Sequence, residues 1–179
     1  MKHAVFFRNL NLGRPNCPTK GQLEAAFLAA GADSASSFLT NGTLVFEART
    51  RTLARKWLAQ ARQTLAAECG LREPAFLRTV DHLAELVALD PFAHVDRGSV
   101  YEVCVSFLDA KHRALPALPL LSKREDVEVL SATGGEAFSI SRVVGNTPGS
   151  PNAFLEKLLG TQASTRAWQT VVRLVEKFG

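Results

Sequence analysis

Two short stretches of this chain concentrate the side chains that can bind or react. The first is Arg8-Asn9-Leu10-Asn11-Leu12-Gly13-Arg14, which sets guanidinium groups, two amides and a glycine at the end of an apolar run. The second is Thr165-Arg166-Ala167-Trp168-Gln169-Thr170, with an Arg two residues before a Trp. A guanidinium fork beside backbone N–H groups at a helix start is suited to holding an anion. Arg8, Asn11, Gly13, Asn41, Arg166 and Trp168 are therefore the candidate ligand-binding residues. The competing use of the same residues is internal: Asn11 bonding within its own turn and Gly13 supplying positive φ. No catalytic residue is assigned. Cys17 precedes a helix start, where a thiolate is favoured, but nothing near it in sequence offers a base. His3, His82, His94 and His112 lack metal-ligand spacing, and Cys17, Cys69 and Cys104 form neither a zinc nor a disulfide pattern. No metal or cofactor is expected. Phosphate-loop, dinucleotide, zinc-protease, redox Cys-x-x-Cys and serine-hydrolase signatures are all missing from the sequence.

The elements that would position these residues read as one topology used twice. A strand over His3–Leu10 is followed by a capping box, Thr19 with Gln22, and a helix that ends at Gly31. Asn41-Gly42 lies between two β-prone runs, Ser36–Thr40 and Thr43–Ala48, and predicts a tight hairpin. A second helix spans Thr52–Glu68 and stops at Gly70; Pro74–Val80 is a fourth strand. The second half opens with a helix over Asp81–Leu89. It continues with a strand over Val100–Leu108 and a short helix over His112–Leu118. A hairpin of Val127–Leu130 with Ala137–Val144 follows. Ser150 as N-cap and Pro151 at the first position start a helix that Gly160 stops. A strand over Ala163–Arg166 and a helix over Trp168–Phe178 close the chain. The expectation is an α+β protein of two ferredoxin-like βαββαβ units in tandem, with an extra helix before and after the second. The units are expected at residues 1–80 and 81–179, with the C-terminal helix attached to the second.

At 46% apolar and 21% charged residues the 179-residue chain has the composition of a folded globular protein. The apolar start is broken by Arg8, and no run approaches a membrane span. The expectation is a cytoplasmic protein with no membrane partner. Residues 1–80 carry eleven Lys and Arg against five Asp and Glu, whereas the rest is slightly acidic. Much of the excess lies in Arg49, Arg51, Arg55, Lys56 and Arg62, a patch that attracts phosphates or simply solvates a helix face. Val5-Phe6-Phe7-Arg8-Asn9-Leu10 resembles the first strand of an RNA-recognition domain. The basic, glycine-rich partner motif is missing from Thr43–Glu47, so Phe6 and Phe7 are expected in the core.

Taken together, Arg8-Asn9-Leu10-Asn11-Leu12-Gly13-Arg14, Leu39-Thr40-Asn41-Gly42-Thr43-Leu44-Val45-Phe46 and Thr165-Arg166-Ala167-Trp168-Gln169-Thr170 resemble a bacterial family, domain of unknown function 1697. Its members carry Arg-Gly-Ile-Asn-Val-Gly-Gly, Gln-Ser-Gly-Asn-Val-Val-Phe and Thr-Arg-Asn-Trp-Asn-Thr in the same order. The resemblance implies a tandem ferredoxin-like architecture and brings no established activity. Here Arg14 replaces the family's second glycine, Asn41-Gly42-Thr43 replaces Ser-Gly-Asn, and Ala167 and Gln169 replace asparagines. Three readings of function follow. The first is a protein binding a small anionic or nucleotide-like ligand in a cleft between the two units. The second is RNA or DNA binding through the basic N-terminal unit. The third is an interaction or homodimerisation module.

Overall fold

The computed structural model describes residues 1–109 and 111–179. It has a mixed α+β architecture with antiparallel sheets and, among the described residues, five α-helices. These residues fall into two compact units. One comprises Met1–Ala84 with Leu174–Gly179, and the other Glu85–Arg173.

In the first unit the order is β1 (Lys2–Phe7), α1 (Lys20–Ala29), β2 (Ala35–Phe38), β3 (Thr43–Glu47), α2 (Arg51–Cys69) and β4 (Ala75–Thr79). The sheet order is β2-β3-β1-β4, with every pair antiparallel. Alternation along β1 sends Val5 and Phe7 to one face, where they meet Leu23 and Phe27 of α1, Leu58 and Leu65 of α2, and Phe46. The rings of Phe7, Phe27 and Phe46 pack edge-on or tilted at centroid distances of 4.9–6.5 Å. Ala4, Phe6 and Val45 on the opposite face are buried too. Both Phe6 and Phe7 are therefore core residues. The helix ends follow from their caps. Thr19 and Gln22 form the reciprocal capping box, Thr50 caps α2, and Gly70 closes it in the left-handed conformation.

The β2–β3 connection corrects the expected two-residue turn. It spans residues 39–42 and takes positive φ at Leu39 and Gly42, not at Asn41. Gly42 is required for a second reason: a Cβ there would lie 2.5 Å from Leu10 Cβ, so the loop after β1 seats directly on this turn.

The second unit takes up the second half of α3 (Val80–Leu89), then a 3₁₀ turn at Arg97–Ser99 and β5 (Glu102–Leu108). After them come β6 (Leu120–Leu121), β7 (Val127–Ala132), β8 (Glu136–Ser141), β9 (Val143–Val144) and β10 (Thr147–Pro148). The unit closes with α4 (Pro151–Leu159), β11 (Ala163–Ala167) and the start of α5 (Trp168–Phe178). Its main sheet runs β11-β5-β8-β7-β6. Leu108, Val129, Ala137 and Ala163 pack under Leu155 and Leu159 of α4.

Two expectations for this half are corrected. Residues 111–118 contain no helix, because Pro116 would remove a donor mid-helix and Leu115 before it is biased away from the α region; Ala110 lies outside the described residues. The short edge strand β6 lies just beyond this segment. Residues 143–148, expected as the end of a strand running into a loop, form a second small hairpin, turned at Gly145 with φ 67°. In the first unit, His3 of β1 is fully buried and stacks on Phe46 at 5.6 Å.

Candidate functional site

The polar loop after β1 is largely self-satisfied. Arg8 Nη1 donates to Glu73 Oε2 at 2.8 Å, with both side chains partly buried. The Leu12 amide donates to the Thr40 carbonyl, and the Gly13 amide to that of Pro18. Asn11 is exposed and its carbonyl accepts from the Arg14 amide; Gly13 has φ 77°. Asn41 Oδ1 accepts from the Thr43 hydroxyl at 2.8 Å. Arg8, Asn11, Gly13 and Asn41 thus belong to one corner of the first unit, whereas Arg166 and Trp168 belong to the second.

Arg166 is buried on β11, where its Nη1 donates to Ser164 Oγ and to the Thr165 carbonyl, each at 2.9 Å. Burial pulls its pKa down to about 10, so it remains a cation at neutral pH. Trp168 is a core residue: its ring packs edge-on against Phe92 at 5.6 Å and Phe138 at 5.8 Å. A groove of about 290 Å³ beside the polar loop is lined by Asn9, Asn16, Cys17, Arg72 and Glu73 among others. Cys17 is half-buried there, whereas burial pushes the Cys104 thiol up to about 12. Among the described residues there is no cluster of three or more His, Cys, Asp or Glu able to hold a metal.

A further concavity lies elsewhere, inside the second unit. It is a groove of about 750 Å³ between three walls: the turn Ser122–Val127, the β10 residues Thr147 and Pro148, and the outward face of α4. Small-molecule sites occupy roughly 300–1,000 Å³. Local chemistry fixes each wall. In the turn, Ser122 Oγ donates to Asp126 Oδ1 at 2.8 Å and accepts from the Val127 amide. The Asp126 carbonyl accepts from the Arg142 amide, and the Gly149 carbonyl accepts from Ser141 Oγ at 2.7 Å. A Cβ on Gly149 would lie 2.2 Å from the Asp126 carbonyl oxygen, so only glycine lets the chain leaving β10 pass this close to the turn. Ser150 then caps α4 by accepting from the Ala153 amide, with Pro151 in the first turn.

Three cations face this groove: Lys123, Arg124 and Lys157. Its one carboxylate, Asp126, already accepts from Ser122 and lies 3.5 Å from Arg124 Nε. Lys123 and Lys157 have no ion-pair partner among the described residues. Such an excess favours a bound anion. The sequence conceals it because the cations lie on a turn and a helix more than thirty residues apart, within a half whose acids outnumber its bases. A usable signal did exist on α4, where Ser150, Ala153, Phe154, Lys157 and Leu158 recur at helical spacing on a face other than that of Leu155 and Leu159.

A second electropositive surface is the outer face of α2. Arg51, Arg55, Lys56 and Arg62 are all exposed, and the helix carries no carboxylate before Glu68. Arg62 and Arg72 flank a shallow hollow of about 360 Å³.

A family profile described as "Protein of unknown function (DUF1697)" matches residues 1–138. A solved structure, described as that of the conserved bacterial protein SP0830 from Streptococcus pneumoniae, superposes with a TM-score of 0.63 at 14% identity. The match covers 98% of this chain and 97% of that one, and at this identity it speaks to the fold alone. No curated protein matches the chain. No helix among the described residues is long and apolar enough to cross a membrane.

Proposed function

This chain belongs to the DUF1697 family of proteins of unknown function, and from that premise we propose that it binds a small organic anion in the groove of its second unit. We read both units as ferredoxin-like. Supporting this are the order β1-α1-β2-β3-α2-β4 with sheet order β2-β3-β1-β4, and the matching order β11-β5-β8-β7 in the second unit. The second unit then has an irregular segment where the first has α1.

The observation that carries the binding reading is the placement of Lys123, Arg124 and Lys157 around one cavity of ligand size. The cleft between units, with Arg8, Asn11, Gly13, Asn41, Arg166 and Trp168 as its ligands, is the weaker version of the same idea. In it Arg8, Arg166 and Trp168 would have to serve a ligand in addition to their present hydrogen bonds and ring contacts.

The test is a thermal-shift series against inorganic phosphate, nucleoside monophosphates and small carboxylates. Ligand that binds only the folded state raises Tm. At least one anion should raise Tm in the wild type and lose that effect in Lys123→Ala/Lys157→Ala. Both lysines are exposed, so the double variant should fold. An unchanged shift in the double variant would move the site out of the groove.

A second reading rests on α2. Arg51, Arg55 and Arg62 fall within one narrow arc of the helix, spanning roughly 16 Å along its axis at about 1.5 Å per residue. That row suits a nucleic-acid backbone, whose binding is set by phosphate neutralisation.

A further inference from the structure

The walls of the groove carry more information than its charge. On α4, Pro151, Leu155 and Leu159 are buried, with both leucines in the core of the unit, and the face beside this stripe, where Phe154 also packs against the core, is not the polar surface expected of such a helix. It presents Ala153, Phe154 and Leu158 to the groove, and Val127 and Pro148 continue this apolar wall across the gap. The cations stand at the margin. Lys123 and Arg124 are exposed on the turn, and Lys157 sits one helical turn beyond Ala153.

Resting on the anion-binding reading above, we infer that the ligand is an amphipathic anion. One carboxylate, sulfonate or phosphate-monoester head sits among Lys123, Arg124 and Lys157, and an apolar ring or short chain lies on Phe154 and Leu158. A fully hydrophilic anion would meet the cations but leave the apolar wall wet, where apolar contact supplies most of the affinity in sites of this kind. A neutral apolar molecule would cover the wall and leave the cations without a counter-charge. Only a molecule with both parts matches both walls.

The same chemistry is offered by a free acid and by the lipids of an anionic membrane. The volume of about 750 Å³ between three fixed walls favours the free molecule. A membrane surface is flat, and Asp126, tied to the turn, borders the groove.

The experiment titrates the protein with 8-anilinonaphthalene-1-sulfonate, whose fluorescence rises on burial, and then competes it off. Saturable binding at one site is expected, displaced by octanoate and by phenyl phosphate but not by octanol or inorganic phosphate at equal concentration. Lys123→Ala and Lys157→Ala should each weaken the probe about fivefold, the upper value for one exposed ion pair. Ala153→Trp, a change at an exposed position, should block binding by filling the groove, and unchanged melting curves would certify the fold of each variant.

Displacement by inorganic phosphate as effective as by octanoate would overturn the amphipathic ligand while leaving anion binding intact. Equal displacement by octanol would overturn the anionic head. Binding to vesicles of phosphatidylglycerol in phosphatidylcholine, with no binding of the monomeric probe, would overturn the free-ligand site. No binding of any anion would remove this inference and the reading it rests on together.

Discussion

His3 shows how a single residue departs from what its type suggests. Histidine is usually a partly exposed residue, but position 3 shares a face of β1 with Val5 and Phe7, and that alternation was the available signal. In the structure its Nδ1 lies 3.1 Å from the Met1 carbonyl, while Nε2 is buried without a partner. Burial is the main cause that holds its pKa below the usual 6.5. The N-terminal amine and Arg51 act in the same direction, and the Met1 carbonyl and Asp81 oppose them. A base with a depressed folded pKa binds its proton more readily when unfolded. Its contribution to stability is therefore complete above about pH 6.5 and shrinks as pH falls from there toward the folded pKa. Melting curves from about pH 7 to about pH 5 should show a steeper loss in the wild type than in His3→Phe, which keeps the ring against Phe46. Parallel curves would mean that His3 titrates alike in both states. Trp168 is the second such residue. Its neighbourhood of Arg166 and Thr165 suggests a site, yet its ring is core, so Trp168→Ala should cost roughly 3–5 kcal/mol in chemical denaturation and leave anion binding unchanged.

Element boundaries were legible wherever the chain supplies a local stop or start. Thr19 with Gln22, Gly70, Ser150 with Pro151, and Gly160 each act through their own backbone, and each stands where the sequence put it. What escaped were features decided by neighbours. The β9–β10 hairpin is two residues on each side, too short for any periodicity. Residues 112–118 carry helix-favouring Ala and Leu, and Pro116 overrides them. The turn after β2 takes four residues, and the space beside its last one, Gly42, is filled by Leu10. Gly149 belongs to this class: its role arises from the approach of the Asp126 carbonyl, not from its own φ. Gly149→Ala should destabilise the protein by about 1–3 kcal/mol, as overpacking does, and weaken anion binding more than a change on the far side of the sheet. A variant of wild-type stability and affinity would show that the groove wall is not held by this contact.

At the scale of the molecule, the four strands of the first sheet and β5, β7, β8 and β11 of the second were readable because hydrophobic alternation and helical spacing are properties of the chain itself. The groove was not, since it is assembled from a turn, a two-residue strand and one face of α4. Net charge misled in the same way: residues 1–80 carry the excess, but a cavity bordered by three cations lies in the other half. The exposed row on α2 accounts for the N-terminal excess and makes its own prediction. If Arg51, Arg55 and Arg62 contact a nucleic-acid backbone, anisotropy of a labelled oligonucleotide should give an affinity that falls with salt with a log–log slope of about −2 to −3. A flat dependence would leave the row as a solvated face.

The proposed site for small anions lies within the second unit, between the turn, β10 and α4. Backbone amide chemical shifts followed during separate titrations with octanoate and adenosine monophosphate test it most directly. At least one of them should move a contiguous set of signals at Ser122–Val127 and Thr147–Leu158. Movement confined to Arg8–Gly13, Asn41 and Arg166, or none in either titration, would contradict it.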